Sequence, residues 1–457
     1  MKIAVLNGSP KGELSITLQY VRFIQKKYPQ HEFRIIHTAQ KIKTLERHEL
    51  AFKEIRGEVK AADGILWSFP LYVFLVPSQY KRFVELIRER NAEGDFRGKY
   101  TAALSTSIHF FDHTAHNYMN AVCDDLGMKF AGFHSAEMQE LLTETGREKL
   151  LLFAAHFLDT IEGGKPVSRT YAPLMTSEFV YEPGGVVKRI DPGARKVVVL
   201  TDLEDRHTNL GRMIERFCQS LTNGVEVINL HDIDIKGGCL GCCECALDNI
   251  CVYKDGFAAF YRDKIRQADI LIFAGSVRDR YLSAKWKEFF DRAFFNGHVP
   301  SLAGKQMGFI ISGPLRQLPN LRQILQAYTE IQQSNLVDFV TAEEENSPVI
   351  DSLLQAMAGR AVRFAGEGFV APPTFLSVGG VKIFRDEIYG KLRFVFQADY
   401  KFYRRHKLFD FPQKDKKAKE MNRQMLALMK NPEMREAIRK VMRTEMVRQY
   451  KEIVETM

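Results

Sequence analysis

Five of the seven cysteines fall in one short run, Cys239-Leu240-Gly241-Cys242-Cys243-Glu244-Cys245-Ala246-Leu247-Asp248-Asn249-Ile250-Cys251. Read as C-x2-C-x2-C-x5-C, Cys239, Cys242, Cys245 and Cys251 bring four thiolates into one loop. Gly237, Gly238 and Gly241 let its backbone turn tightly. Three cysteines at successive x2 spacing suit an iron–sulfur cluster, whose neighbouring corners one short loop can supply. Zinc held by the same four thiolates is an alternative, although structural zinc more often uses two separated C-x2-C pairs. Free thiols without a metal are a third reading. Cys243 is spare, either a bystander or a substitute ligand.

Three further stretches carry chemistry-bearing residues. Gly8, Ser9, Pro10 and Lys11 follow the apolar run Lys2–Leu6, and Ser15, Ile16 and Thr17 then open a helix. A strand, a small-residue loop and a helix N-terminus in that order hold phosphate through loop N–H groups, hydroxyls and the helix dipole; the plain alternative is a tight βα turn. Pro70, Leu71, Tyr72, Val73 and Phe74 form an aromatic loop between Pro70 and Pro77, after a second apolar run. A planar ring can stack there, unless the loop packs on its own domain. Ser105, Thr106 and Ser107 end a third apolar run and lead into His109, His113 and His116. These histidines lack the carboxylate partners and separation of a catalytic zinc motif. The loop is expected to cap the next helix and line the ligand site, with His109 giving a hydrogen bond or proton.

The elements that must position these groups recur. Lys196–Leu200 repeats Lys2–Leu6 at an offset of 194 (Leu200 against Leu6). Ala268-Asp269 repeats Ala62-Asp63, and Gly304-Lys305 repeats Gly98-Lys99, both at 206 (Asp269 against Asp63). Apolar strands alternating with helices, used twice, predict an α/β chain made by internal duplication. The second copy is longer in the interval that contains the cysteines. Where the first copy reads Gly8-Ser9-Pro10-Lys11, the second reads Thr201-Asp202-Leu203-Glu204-Asp205-Arg206. Its carboxylates repel phosphate, so this copy is expected to bind phosphate poorly.

Composition narrows the classes. The chain has 457 residues, 45% of them hydrophobic, enough for two or three packed domains. No apolar run reaches the roughly 18 residues needed to span a bilayer, and the N-terminus enters a strand without a signal-peptide pattern. Clustered cysteines suit a reducing, cytoplasmic compartment. The net charge of +9 is concentrated at the end: residues 401–457 hold 16 Lys/Arg against 8 Asp/Glu. The remainder is near neutral, so a nucleic-acid role is not indicated. The basic, aromatic tail suits a membrane-surface or partner contact, or an amphipathic appendage.

Gly8-Ser9-Pro10-Lys11 with Ser15, Ile16 and Thr17, the Pro70-Leu71-Tyr72 loop and the Ser105-Thr106-Ser107 loop resemble the flavodoxin-like NAD(P)H-dependent FMN reductase superfamily. The resemblance implies that the first loop holds the FMN phosphate and the other two frame the isoalloxazine; Ile16 stands where the family usually has Asn. Cys239–Cys251 resembles the compact motif of the iron–sulfur flavoprotein branch, as does the segment 277–292 that branch's flavin-loop-to-helix segment. That branch implies FMN, a 4Fe–4S cluster, and one subunit's cluster lying near another's flavin.

The expectation is therefore two tandem flavodoxin-like doubly wound parallel sheets forming a pseudo-dimer, with a C-terminal helical extension. The expected parts are an FMN-binding domain at 1–165, a linker at 166–194, a second domain with the cysteine loop at 195–370, and an extension at 371–457. The expected function is electron passage between FMN on domain 1 and a 4Fe–4S cluster on domain 2. NAD(P)H would be a transient donor, and a redox protein such as a ferredoxin, or a small molecule, the acceptor. The alternatives are an NAD(P)H-dependent FMN or quinone reductase with a four-cysteine zinc loop, and a non-catalytic electron carrier or regulatory protein. Further homo-oligomerisation stays open.

Overall fold

A computed structural model describes residues 1–186 and 188–455. Val187 of the expected linker, and Thr456 and Met457 of the expected extension, lie outside the described residues. The first module has five parallel strands: β1 (Lys2–Asn7), β2 (Glu32–His37), β3 (Gly64–Pro70), β4 (Tyr100–Ser107) and β5 (Lys129–Glu137). Their order is β2-β1-β3-β4-β5. The second module has β6 (Val197–Thr201), β7 (Val225–Asn229), β8 (Ile270–Arg278), β9 (Tyr281–Leu282), β10 (Gln306–Ser312) and β11 (Asn335–Thr341). Its parallel strands run β7-β6-β8-β10-β11, the same order again, and β9 pairs antiparallel with β8. This is the flavodoxin-like doubly wound order, whose switch point lies between the first and third strands.

The central strands are continuous apolar runs because helices cover both faces. In the first module Ile3, Val5, Leu66 and Leu104 pack with Leu18 and Val21 of the Ile16–Lys27 helix and Phe157 of the Glu144–Glu162 helix. In the second, Val197, Val199, Ile272 and Ile310 pack with Met213, Phe217, Leu354 and Met357. The copies agree in detail: a register shift near Thr101–Ala103 between β4 and β5 has its counterpart at Met307/Gly308 between β10 and β11. They differ where the cysteines lie. Two helices, Ile42–Arg47 and Glu49–Ala61, join β2 to β3. Between β7 and β8 stand instead the cysteine loop and a short helix, Phe257–Phe260, that passes into a π-turn at Tyr261–Ile265.

The modules meet through the Ser78–Glu89 and Ala284–Ala293 helices. Ser78 N donates to Asp291 Oδ2 at 2.8 Å, and Ala284 N donates to Glu85 Oε1 at 2.6 Å. Lys81 pairs with Glu85 at 2.9 Å and Lys287 with Asp291. Each residue sits 206 positions from its counterpart (Asp291 against Glu85), so the contact is a pseudo-twofold one. Burial pushes Asp291 up to about 6 and lowers Lys287.

Residues 166–189 form no helix or strand among those described, yet they are tied down. Thr170 N and Tyr171 N donate to Asp124 Oδ2, and Tyr181 is buried in the second core. The Phe375–Tyr389 helix packs on the Pro319–Ile331 helix of the second module and reaches the first, where Phe384 meets Phe110 at 4.2 Å. Residues 1–400 form one compact unit and 401–457 another. Within the second, the helices Lys416–Leu428 and Pro432–Glu455 leave Met421, Met425, Val441 and Ile453 exposed. No helix among the described residues is long and apolar enough to cross a membrane.

Two predictions follow from burial. Asp291→Ala strands the Lys287 ammonium and the Ser78 N–H, and should lower stability by about 3–5 kcal/mol in urea unfolding; the double variant K287M/D291L, which leaves no buried charge, should lose less. His116 is buried against Phe69 and Phe133, with Nε2 2.8 Å from Ser105 Oγ, and burial pushes its pKa down to about 4. Its ordinary pKa is about 6.5, so the unfolded chain binds the extra proton between these values. The stability His116 supports is then complete above pH ~6.5 and lost towards pH ~4, about 3 kcal/mol in all. H116Q should flatten the stability–pH slope in that window.

Candidate functional site

The loop after β1 is organised by a residue the motif reading passed over. Asn7, the last residue of β1, accepts from Ser9 N through Oδ1 (3.1 Å), and its Nδ2 lies 2.9 Å from His37 Nδ1. Gly8 N donates to Ser68 O at 2.7 Å, tying the loop to β3. A Cβ on Gly8 would lie 2.6 Å from Tyr80 Cε1, so only glycine fits. Lys11 N donates to Ser9 Oγ. Ser15 caps the Ile16–Lys27 helix by accepting from Leu18 N, which leaves the first-turn N–H groups facing the loop. Thr17 Oγ1 and Thr106 Oγ1 lie 2.6 Å apart, linking this loop to the one after β4. Pro10 lies in the turn, and Ile16 is half-exposed at the helix start.

The loop after β3 is pinned from both modules. Leu71 N donates to Thr106 O, and Tyr72 and Leu75 exchange both backbone hydrogen bonds. Lys287 Nζ donates to Tyr72 O at 2.8 Å. Val73 and Phe74 are left-handed, with φ of 34° and 67°. A β-branched residue there is strained, a feature that clusters at ligand sites. The Tyr72 hydroxyl is buried and without a hydrogen-bond partner among the described residues; burial, then Cys239, push its pKa well up.

In the loop after β4, Ser107 Oγ accepts from His109 N at 2.9 Å. His109 is half-exposed, and its Nδ1 lies 2.8 Å from Asp112 Oδ2, to which Ser135 Oγ also donates at 2.7 Å. Burial raises Asp112, but His109 and Ser135 together bring it below its ordinary value. Ser105 is turned into the core towards His116. The three loops thus meet at the carboxyl ends of β1, β3 and β4, tied to one another by Leu71 N on Thr106 O and by Thr17 Oγ1 beside Thr106 Oγ1.

The cysteine loop lies against these loops. Gln79 Nε2 donates to Cys239 O at 3.0 Å. A Cβ on Gly241 would lie 2.6 Å from Tyr72 Cζ and 3.2 Å from Lys11 Cε. Cys239, Cys242, Cys243, Cys245 and Cys251 line one pocket with Tyr253, Arg292, Phe294 and Phe295. Arg292, itself buried, makes two 2.9 Å contacts to Asp255, donates to Gly237 O, and lies 3.9 Å from Cys251 Sγ. Burial pushes Cys239 up to about 12; burial, then Cys251, do the same for Cys245. Five thiols in one pocket, next to a fixed guanidinium, suit a group that takes thiolates and brings positive charge. Among the described residues no three or more His, Cys, Asp or Glu side chains close on a single-ion position.

The equivalent loops of the second module line an acidic pocket instead. Burial raises Asp202, whose carboxylate accepts from Ser283 Oγ. Glu204 pairs with Arg278 at 3.2 Å. Asn209, at the start of the helix, bonds Phe179 O and Tyr181 N of the connector. Asp279 and Arg280, the counterparts of Val73 and Phe74, pair with Arg88 (2.6 Å) and Asp125 (2.6 Å) of the first module.

The family model described as NADPH-dependent FMN reductase matches residues 1–132 and 197–342. The chain is similar to an iron–sulfur flavoprotein of Archaeoglobus fulgidus, 30% identical over 118 residues, which cover 25% of this chain and 53% of that protein. The chain thus spans about half the length of this curated relative. Among solved structures, it is similar to FerB, a flavoenzyme NAD(P)H:(acceptor) oxidoreductase from Paracoccus denitrificans (18% identity, 35% of this chain and 97% of that one, TM-score 0.30). It is also similar to general stress protein 14 of Treponema denticola in complex with FMN (11% identity, 35% and 98%, TM-score 0.27). Matched in both of its modules and over more than half its length, the chain belongs to the NADPH-dependent FMN reductase family.

Proposed function

We propose that the protein is a flavin-dependent oxidoreductase in which electrons pass between FMN on the first module and a 4Fe–4S cluster held by Cys239, Cys242, Cys245 and Cys251. FMN takes electrons in pairs and gives them singly, and a cluster carries one at a time. The observation that carries the reading is the packing of the cysteine loop on Tyr72, Gln79 and Lys11, which are residues of, or next to, the ligand loops of the other module.

The chain's own groups have distinct tasks. The Gly8–Lys11 backbone and the N-terminus of the Ile16–Lys27 helix bind the phosphate, and Gly8 leaves the room that Tyr80 would otherwise deny a side chain. The Pro70–Phe74 loop presents a rigid wall for the ring. Asp112 holds His109 through Nδ1, which leaves Nε2 to hold or move a proton at the ligand face. Three cysteines at successive x2 spacing, lining one pocket, support a cluster over zinc. The chain has no G-x-G-x-x-G phosphate loop, so nicotinamide would visit the flavin face transiently. The final acceptor is a small molecule or a redox protein such as a ferredoxin. A second reading, a NADPH-dependent flavin or quinone reductase with structural cysteines, is favoured by the family's own description.

Anaerobic purification with a spectrum, iron and acid-labile sulfide analysis, and flavin titration separates the two. The first reading expects about four irons and one FMN per chain. Rapid flavin bleaching by NADPH in iron-free protein supports the second. Cys242→Ala should abolish the cluster signals and retain FMN. Gly8→Asp, which meets Tyr80 and places a carboxylate at the phosphate, should lower FMN occupancy at least tenfold and leave the iron content unchanged.

A further inference from the structure

The Tyr72 hydroxyl is an oddity in a chain that otherwise pins this segment so firmly. The Tyr72 carbonyl accepts from Leu75 N (3.0 Å) and from Lys287 Nζ (2.8 Å), and Tyr72 N donates to Leu75 O. The two residues that follow are held in left-handed backbone. The ring is therefore aimed by the fold, yet it ends in a buried hydroxyl with no partner among the described residues. Such a group is costly to keep unless something satisfies it.

Its surroundings restrict what that is. The hydroxyl rests against Gly241, where any side chain would collide with it. The ionisable groups that act on it are Cys239, Asp291, Cys243 and Cys242. Asp291 is already committed to Lys287 and to Ser78 N. Arg292, at the cysteine pocket, spends donors on Asp255, on Gly237 O and, at 3.9 Å, on Cys251 Sγ, and the Tyr253 hydroxyl there donates to Gly238 O. Two donors beside the cysteines are left without a partner among the described residues, Arg292 Nε and the Tyr72 hydroxyl, and Tyr72 is the one on the ligand loop, with the thiols of Cys239, Cys242 and Cys243 around it.

We propose that Tyr72 is a positioning residue whose hydroxyl donates a hydrogen bond to a sulfur of the cysteine-held cluster, setting its reduction potential from the flavin side. The inference rests on the cluster reading above. A donor at sulfur favours the more negative, reduced state, so the bond raises the potential. Tyr72→Phe removes one oxygen and keeps the ring that fills the junction. In anaerobically prepared holoprotein, a redox titration followed by electron paramagnetic resonance should show the cluster of Y72F harder to reduce. The expected change is about tenfold in the equilibrium, about 59 mV for one electron, with iron, sulfide and FMN contents equal to wild type. Iron-replete Y72F with an unshifted cluster overturns the inference, as does a shift confined to the flavin couple. Wild-type protein that contains no iron overturns the cluster reading, and this inference with it.

Discussion

Two lysine–carboxylate pairs buried between the Ser78–Glu89 and Ala284–Ala293 helices decide how every other part of the unit meets. Lys81–Glu85 and Lys287–Asp291 are almost wholly removed from water. Apolar residues of similar volume often replace such buried pairs at little loss of stability. What they would not supply is register. Each carboxylate accepts from the first N–H of the opposite helix, at the positive end of its dipole, so only one rotation and one translation satisfies both pairs. Ser78 and Gln79 belong to that same first turn. The helix start that accepts Asp291 thus also delivers Gln79 to the Cys239 carbonyl, and the relative placement of the ligand loops and the cysteine loop is a consequence of the pairing.

A duplicated chain can divide its labour because the pairing needs both copies while each ligand needs one. In the first module the loop ends are lined with small residues and hydroxyls. In the second, the same ends carry carboxylates and their partners, with Asp202 on Ser283, Glu204 on Arg278, and the connector on Asn209. The second module gives its loop after β8 to ion pairs with Arg88 and Asp125 and hosts the cysteines in the interval after β7. A homodimer would carry two cysteine loops; the fused pair carries one, and its second loop after β8 has become interface.

The duplication, the parallel strands and the loops at their ends were legible in the sequence because they rest on local signals: apolar runs, small-residue turns and matches at offsets of 194 and then 206. The cysteine loop was legible from spacing alone. Asn7 was not, because a lone amide closing an apolar strand is indistinguishable from any polar strand end until His37 and the Ser9 N–H are seen around it. Tyr80, Lys287 and Arg292 were hidden for another reason. Tyr80 reads as core, and Lys287 and Arg292 read as the solvated face of an amphipathic helix, whereas the partner module meets Lys287, and Asp255, Tyr253 and Phe257 of its own module bury Arg292. Ser105 erred in the opposite sense: its place in the run suggested a ligand group, and His116 turns it inward. Contacts made across a pseudo-twofold axis leave no trace in the periodicity of either element.

The strained loop makes the same point about cause. Left-handed Val73 and Phe74 invite a ligand explanation, since strain of that kind gathers at binding sites. Yet Asp279 and Arg280, 206 positions on, are left-handed too, in the copy whose loop faces ion pairs. The feature common to both is the opposite helix's lysine: Lys287 reaches the Tyr72 carbonyl, and Lys81 lies 3.5 Å from Asp279. The backbone shape belongs to the pairing, which over-determines it in both modules. The Pro70–Phe74 loop is thus a wall that the interface already holds rigid, so the order of this candidate site is set by the contact between modules.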